Sequence, residues 1–261
     1  MLKDKIGVSV EKLKQALDVL GIENLVWDLD GTLLDTRAVF VNAVVDASGI
    51  LASKLDLPAE KIVELFEETI WFLRPEMGVN PAIMLLAFDI LVKRVGLRND
   101  DYQVALGRKR VADIHSKDVP CLFPDTLETI DLFNSLDRNT FLMTHAEEDW
   151  TWLKLSQTGL VGKFKKVVCF SVDNPKSLQW VQNFSSLKLN PDETLVIGDN
   201  FLADIAPVLT LGARAILIDR DHKPFGAEKY ENNQLSAPGW QVKQLREIPR
   251  FLLKQAEFCS P

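Results

Sequence analysis

Apolar and polar positions run along this chain with distinct rhythms. Residues 9–20 set Val10, Leu13, Leu17 and Leu20 three or four apart with Lys and Glu between them, which predicts an amphipathic helix stopped by Gly21. Asn24-Leu25-Val26-Trp27-Asp28 is instead a short apolar run between turn signals, the pattern of a strand buried on both faces. Residues 36–119 contain no strand-like run; helices are predicted at about 37–50, 58–74, 80–96 and 99–115. Pro58 and Pro81 suit first helical positions, Asn80 an N-cap and Gly96 a C-terminal stop. Beyond Pro120, helices at 125–136, 147–158, 176–188 and 201–211 alternate with strands at 140–144, 167–170, 194–198 and 214–218. A polar loop over 220–238 and a helix over 241–256 are predicted to follow.

Strand–helix alternation with apolar strands predicts an α/β fold, a parallel sheet with helices on both faces. The strand near 25–29 belongs to that sheet, so the all-helical block is an insertion. The expected division is 1–35 with 120–261 as the core domain and 36–119 as a helical domain.

Composition narrows the functional classes. With 261 residues, 47% hydrophobic and 26% charged, the chain is that of an ordinary globular protein with a sizeable core. A net charge of −7 gives no global attraction for nucleic acid or anionic lipid, so an anionic ligand needs a local site. Cys121, Cys169 and Cys259 fit neither a disulfide framework nor a zinc signature, and read as reduced thiols of a cytoplasmic protein. The first 20 residues carry no uninterrupted apolar core, and no apolar stretch reaches the roughly 18 residues of a membrane span, so neither a signal peptide nor a membrane partner is expected.

Candidate chemistry gathers at the ends of the predicted strands. In Trp27-Asp28-Leu29-Asp30-Gly31-Thr32, period-two alternation places Asp28 and Asp30 on one side where the apolar strand breaks. Neighbouring carboxylates repel unless a cation or a proton is shared, which points to a hard cation such as Mg²⁺, an acid/base pair, or both. A second group, Gly198-Asp199-Asn200 followed by Asp204, ends another core strand, with Asp204 about one helical turn on and able to face Asp199. Thr144 closes the run Phe141-Leu142-Met143 before a helix N-terminus, a ready anion cradle. Lys176 opens a helix after the strand at 167–170.

The order Asp28-x-Asp30-Gly31-Thr32, Thr144, Lys176, Gly198-Asp199-x₄-Asp204 resembles the four motifs of the haloacid dehalogenase (HAD) superfamily. The helical block resembles that superfamily's helical cap, and Leu122-Phe123-Pro124-Asp125-Thr126-Leu127 resembles the return to the core in phosphoglycolate-phosphatase-like members. The resemblance spans roughly residues 24–219 and implies a Rossmann-like core. It implies Asp28 as nucleophile forming an aspartyl-phosphate, and Asp30 as the group that protonates the leaving oxygen and then deprotonates water. Asp28, the backbone carbonyl of Asp30 and Asp199 would hold Mg²⁺, with Asp204 assisting. Thr144 and Lys176 would bind phosphoryl oxygens. Apart from what the resemblance implies, Gly31, Thr32, His145 and Arg37, by their places beside these motifs, are candidate further substrate contacts.

Departures are local. His145-Ala146 follows the second-motif hydroxyl where Asn, Ser or Gly is frequent, Pro175 precedes Lys176 instead of following it, and some two dozen residues precede the first strand. The expected activity is an Mg²⁺-dependent phosphatase acting on a small phosphorylated metabolite. The alternatives are a phosphomutase on the same scaffold and a non-catalytic binding protein; a dehalogenase would have no leaving oxygen for Asp30 to protonate. Oligomeric state and the identity of the ester are not written in these motifs.

Overall fold

The computed structural model describes residues 7–77, 82–115, 117–220 and 240–259. Among these residues the centre is a six-stranded sheet in the order β3-β2-β1-β4-β5-β6, every neighbouring pair parallel. The strands are β1 (Asn24–Trp27), β2 (Asn139–Thr144), β3 (Lys166–Cys169), β4 (Thr194–Gly198), β5 (Arg214–Ile218) and β6 (Gln241–Val242). Strand order reverses beside β1, because β2 and β4 lie on its two sides. Such a switch point opens a crevice at the carboxyl ends of the strands, where open α/β sheets bind ligands.

Alternation along β1 divides the interior between the two faces. Leu25 and Trp27 join a cluster with Leu142, Leu195, Ile197 and Ile216 under α1 (Val10–Val19), α6 (Thr126–Asn134) and α10 (Ile248–Cys259). Val26 points the other way, to Phe141, Met143, Val196, Trp180 and Phe184 under α8 (Lys176–Leu187) and α9 (Ala206–Thr210). The residues before the first strand thus serve the sheet: Leu13 and Leu17 of α1 are wholly buried in its core.

Among its described residues the insertion holds helices and no strand: α2 (Thr36–Ala52), α3 (Ala59–Met77), α4 (Ala82–Arg94), α5 (Tyr102–Ala112) and a 3₁₀ turn at Asp113–His115. It has its own cluster, in which Ile62, Phe66, Ala87, Phe88 and Leu91 are inaccessible to water. Ala146 and Trp150 join that cluster, Trp150 from α7 (Glu148–Thr158), so the insertion is seated on a core helix. The chain leaves and returns through adjacent segments. The Asp35 amide donates to the Cys121 carbonyl at 2.8 Å, and the Thr126 hydroxyl to the Leu33 carbonyl at 2.8 Å.

Differences from expectation are confined to ends. α3 runs to Met77 instead of stopping near 74. The stretch expected to be one helix over 241–256 begins as the edge strand β6, paired to Leu217 and Ile218, before α10 starts. Gln241-Val242 is too short to show alternation, so nothing in its pattern announces a strand. The predicted 201–211 helix opens as a π-helical turn, Phe201–Ile205. Asn80, Pro81 and nearly all of the predicted 220–238 loop lie outside the described residues. The three cysteines are free thiols, and no helix among the described residues is long and apolar enough to cross a membrane.

Candidate active site

Register brings the two acidic segments level. Trp27 pairs with Ile197 across β1 and β4, and the Asp28 amide donates to the Ile197 carbonyl at 2.9 Å. Asp28 and Asp199 therefore emerge at neighbouring strand ends, beside the switch point. The turn after β4 brings in the third carboxylate: Asn200 caps the Leu202 and Ala203 amides at 3.1 and 3.0 Å, and its own amide donates to Asp204 at 3.2 Å. Oxygens of Asp28, Asp199 and Asp204 lie within 4.8 Å of one another.

Two glycines permit this convergence. Gly31 has φ +85°, and a Cβ there would sit 2.2 Å from Asp199 Oδ2. A Cβ on Gly198 would sit 2.6 Å from the Asp204 Cβ. A side chain at either position would displace a carboxylate of the group, and at Gly31 the left-handed backbone adds strain.

Lys176 reaches into the group from the start of α8. Its ammonium bonds Asp28 Oδ1 and approaches Asp204 Oδ1 at 2.6 Å, while Thr32 donates to Asp28 Oδ2 at 2.9 Å. A lysine at a loop–helix junction is ordinarily exposed; this one is 6% exposed, its ammonium 5.7 Å from the centre of the Phe170 ring and 5.7 Å from that of Trp180. Burial pulls its proton affinity down, but Asp204 and Asp28 outweigh burial and the net direction is up. Burial likewise raises Asp28 to about 7, against the pull of Lys176. Asp199 is pushed well above the ordinary carboxylate range by burial and by the charges of Asp28 and Asp204.

These directions show a site short of positive charge. Three ionised carboxylates against one ammonium leave an excess that one divalent cation would balance. The donors are hard oxygens, as Mg²⁺ requires, so the residues present fit such an ion.

Asp30 is placed otherwise than simple alternation predicts. The strand ends at Trp27, and the chain turns so that the Gly31 amide donates to Leu34 at 2.8 Å. The Asp30 carboxylate lies outside the group of three. It accepts from Thr36 at 2.6 Å and from Lys154 at 2.8 and 2.6 Å, with Thr144 at 3.5 Å. Each carboxylate of the first motif thus has its own lysine, which relieves the repulsion expected between them.

Thr144 is buried at the end of β2, its hydroxyl 3.5 Å from Asp30 Oδ2. His145 is turned to the loop after β3, its Nε2 3.0 Å from the Ser171 carbonyl, and burial lowers its proton affinity. Arg37 is half-buried in the first turn of α2. Lys154 was missed by the sequence reading. Its signal is position: Trp150, Thr151, Lys154 and Leu155 form the buried stripe of α7, so the lysine occupies an inward place.

Comparison with known proteins bears on the family and the fold. A family model described as haloacid dehalogenase-like hydrolase matches residues 22–208. Glyceraldehyde 3-phosphate phosphatase of Methanothermobacter thermautotrophicus is 24% identical over 235 residues, covering 85% of this chain and 97% of that protein. In fold, the chain is similar to a haloacid dehalogenase-like family hydrolase from Xanthomonas campestris, with TM-score 0.69, 17% identity and coverage of 92% and 95% of the two chains. It is also similar to the magnesium-bound HAD hydrolase YfnB of Bacillus subtilis, with TM-score 0.65, 18% identity and coverage of 88% and 98%.

Proposed function

Because the chain belongs to the haloacid dehalogenase-like hydrolases, we propose that it is a phosphatase that passes the phosphoryl group of a small phosphate monoester first to Asp28 and then to water. The observation that carries this reading is the meeting of Asp28, Asp199 and Asp204 around Lys176 at the switch point. The phosphatase named among the relatives supports the substrate class.

In the first step an Asp28 oxygen attacks phosphorus, the bond to the ester oxygen breaks, and Asp30 gives that oxygen a proton. In the second, water attacks the aspartyl-phosphate, Asp30 takes its proton, and inorganic phosphate leaves. Dividing hydrolysis this way replaces one difficult displacement by two easier ones. Lys176 and the Thr144 hydroxyl steady the equatorial oxygens, where phosphoryl transfer needs charge cancelled. Gly31 and Thr32 border the nucleophile, and His145 and Arg37 serve as further substrate contacts. Asp28, Asp199 and the backbone carbonyl of Asp30 would hold Mg²⁺, with Asp204 beside them. The ion supplies positive charge that lets an anionic nucleophile approach an anionic phosphate.

Residues 36–119 act as the cap of this reading, closing over the sheet end about the paired segments near Asp35 and Cys121. A closed chamber excludes water from the first step and suits a small metabolite better than a macromolecule. The test is a panel of small phosphate esters and p-nitrophenyl phosphate with Mg²⁺, with Asp28→Asn as the blank. Release of phosphate by the wild type and not by Asp28→Asn is expected. Equal release by both removes Asp28 from its role, and isomerised sugar phosphate without free phosphate would make the protein a mutase.

A further inference from the structure

Lys154 is 0% exposed and lies on a core helix, outside the group formed by Asp28, Asp199, Asp204 and Lys176. Lysine is almost never fully buried unless paired, and this one is paired with both oxygens of Asp30. We propose that Lys154 is a positioning residue: its ammonium fixes the direction of the Asp30 carboxylate. The proposal rests on the reading of Asp30 as the group that moves the proton.

The bonds at Asp30 distinguish its two oxygens. Oδ1 accepts from Lys154 at 2.8 Å and from the Thr36 hydroxyl at 2.6 Å, which fills its lone pairs. Oδ2 accepts from Lys154 at 2.6 Å, with the Thr144 hydroxyl more distant at 3.5 Å. Oδ2 is therefore the oxygen with accepting capacity left, on the side of Thr144, and the geometry assigns it the proton transfers. A carboxylate without these two anchors would rotate about its side-chain bonds, and a displacement of about 1 Å at a reacting group can cost about 100-fold in rate.

The anchors are themselves held where the insertion meets the sheet. Thr36 is the first residue of α2. The Lys154 ammonium lies 3.9 Å from the centre of the Trp150 ring, and that ring meets Phe40 of α2 edge-on at 6.2 Å. Asp30 is thus aimed from the base of the helical insertion, whereas Asp28 is aimed from the sheet and α8.

The experiment is a double-mutant cycle in the full chain with p-nitrophenyl phosphate and Mg²⁺, reading kcat and KM separately. Lys154→Met is expected to lower kcat by about 100-fold with KM within about threefold, the cost of misplacing a reacting group. Lys154→Arg, which keeps two donors and the charge, is expected to recover about tenfold or more of that loss. Asp30→Asn with Lys154→Met is expected to be no slower than Asp30→Asn alone, because the lysine acts only through Asp30. Losses that multiply in the double variant, or a Lys154→Met enzyme of wild-type kcat, overturn the proposal. Should Lys154→Met fail to fold, Lys154→Gln takes its place in the same cycle under the same criteria. An Asp30→Asn enzyme of wild-type kcat would instead remove the proton-transfer role of Asp30, a failure of the underlying reading that shows whatever Lys154 does.

Discussion

Asp28 and Asp30 stand two residues apart, yet they belong to different neighbourhoods. Asp28 sits in an acidic cluster, with Asp199 and Asp204 near it and one lysine set against all three. Asp30 sits in a balanced pocket, one carboxylate against one lysine, with a threonine hydroxyl completing it. An unbalanced cluster attracts a cation and raises proton affinity; a balanced pair fixes a direction. On the proposed reading, one short turn serves two tasks, charge storage for the nucleophile and orientation for the proton carrier.

Replacing Lys176 tests the acidic side most severely. Lys176→Met removes the ammonium expected to steady the phosphoryl oxygens, so kcat should fall by about 100- to 1,000-fold, the scale for losing a charge-stabilising donor. Mg²⁺ affinity, read by calorimetry, should not weaken, because the cation and the ammonium face the same carboxylates. A variant that loses Mg²⁺ affinity but keeps kcat would break the division between the two sides.

A smaller effect separates the sides by pH. The metal-free folded protein binds a proton at Asp28 with a pKa of about 7 against 3.8 when unfolded. Between those values the folded state holds the extra proton, so this group's contribution to stability is present at low pH and is lost as pH rises through 7. Mg²⁺ stabilises the ionised form, so its gain in Tm, measured by thermal melts, should be larger at pH 7.5 than at pH 5. Asp28→Asn should flatten that difference. Equal Mg²⁺ gains at both pH values in the wild type would contradict the account of the cluster.

The smallest expected change is at His145. His145 is already engaged by the Ser171 carbonyl, so His145→Ala should alter KM for the small-ester panel by less than about tenfold, the loss of roughly one net hydrogen bond. A collapse of kcat instead would move His145 into the catalytic machinery.

The sequence displayed these two neighbourhoods unequally. Asp28 and Asp199 were legible because each follows a short apolar run, and parallel strands bring such ends together; Asp204 was legible from its spacing, about one helical turn beyond Asp199. Lys176 was legible only in their company, and its burial was not, since Trp180 lies one turn along its own helix but Phe170 is brought beside it from the end of β3. Lys154 went unread because a charged residue within a helix is normally solvated; the inward stripe from Trp150 to Leu155 was its trace. The separation of Asp30 from Asp28 was hidden because alternation assumes an extended chain, and the strand stops at Trp27. The same limit hid β6, whose two residues pair with β5.

The central claim, that Asp28 carries the phosphoryl group between the ester and water, is tested most directly by rapid-quench labelling. Wild-type protein is mixed with a ³²P-labelled ester that it hydrolyses, in the presence of Mg²⁺, quenched in acid, digested and sequenced by mass. The account predicts transient label on the peptide carrying Asp28, and none in Asp28→Asn. Steady turnover with no labelled protein at any quench time, or label on another residue, would contradict it.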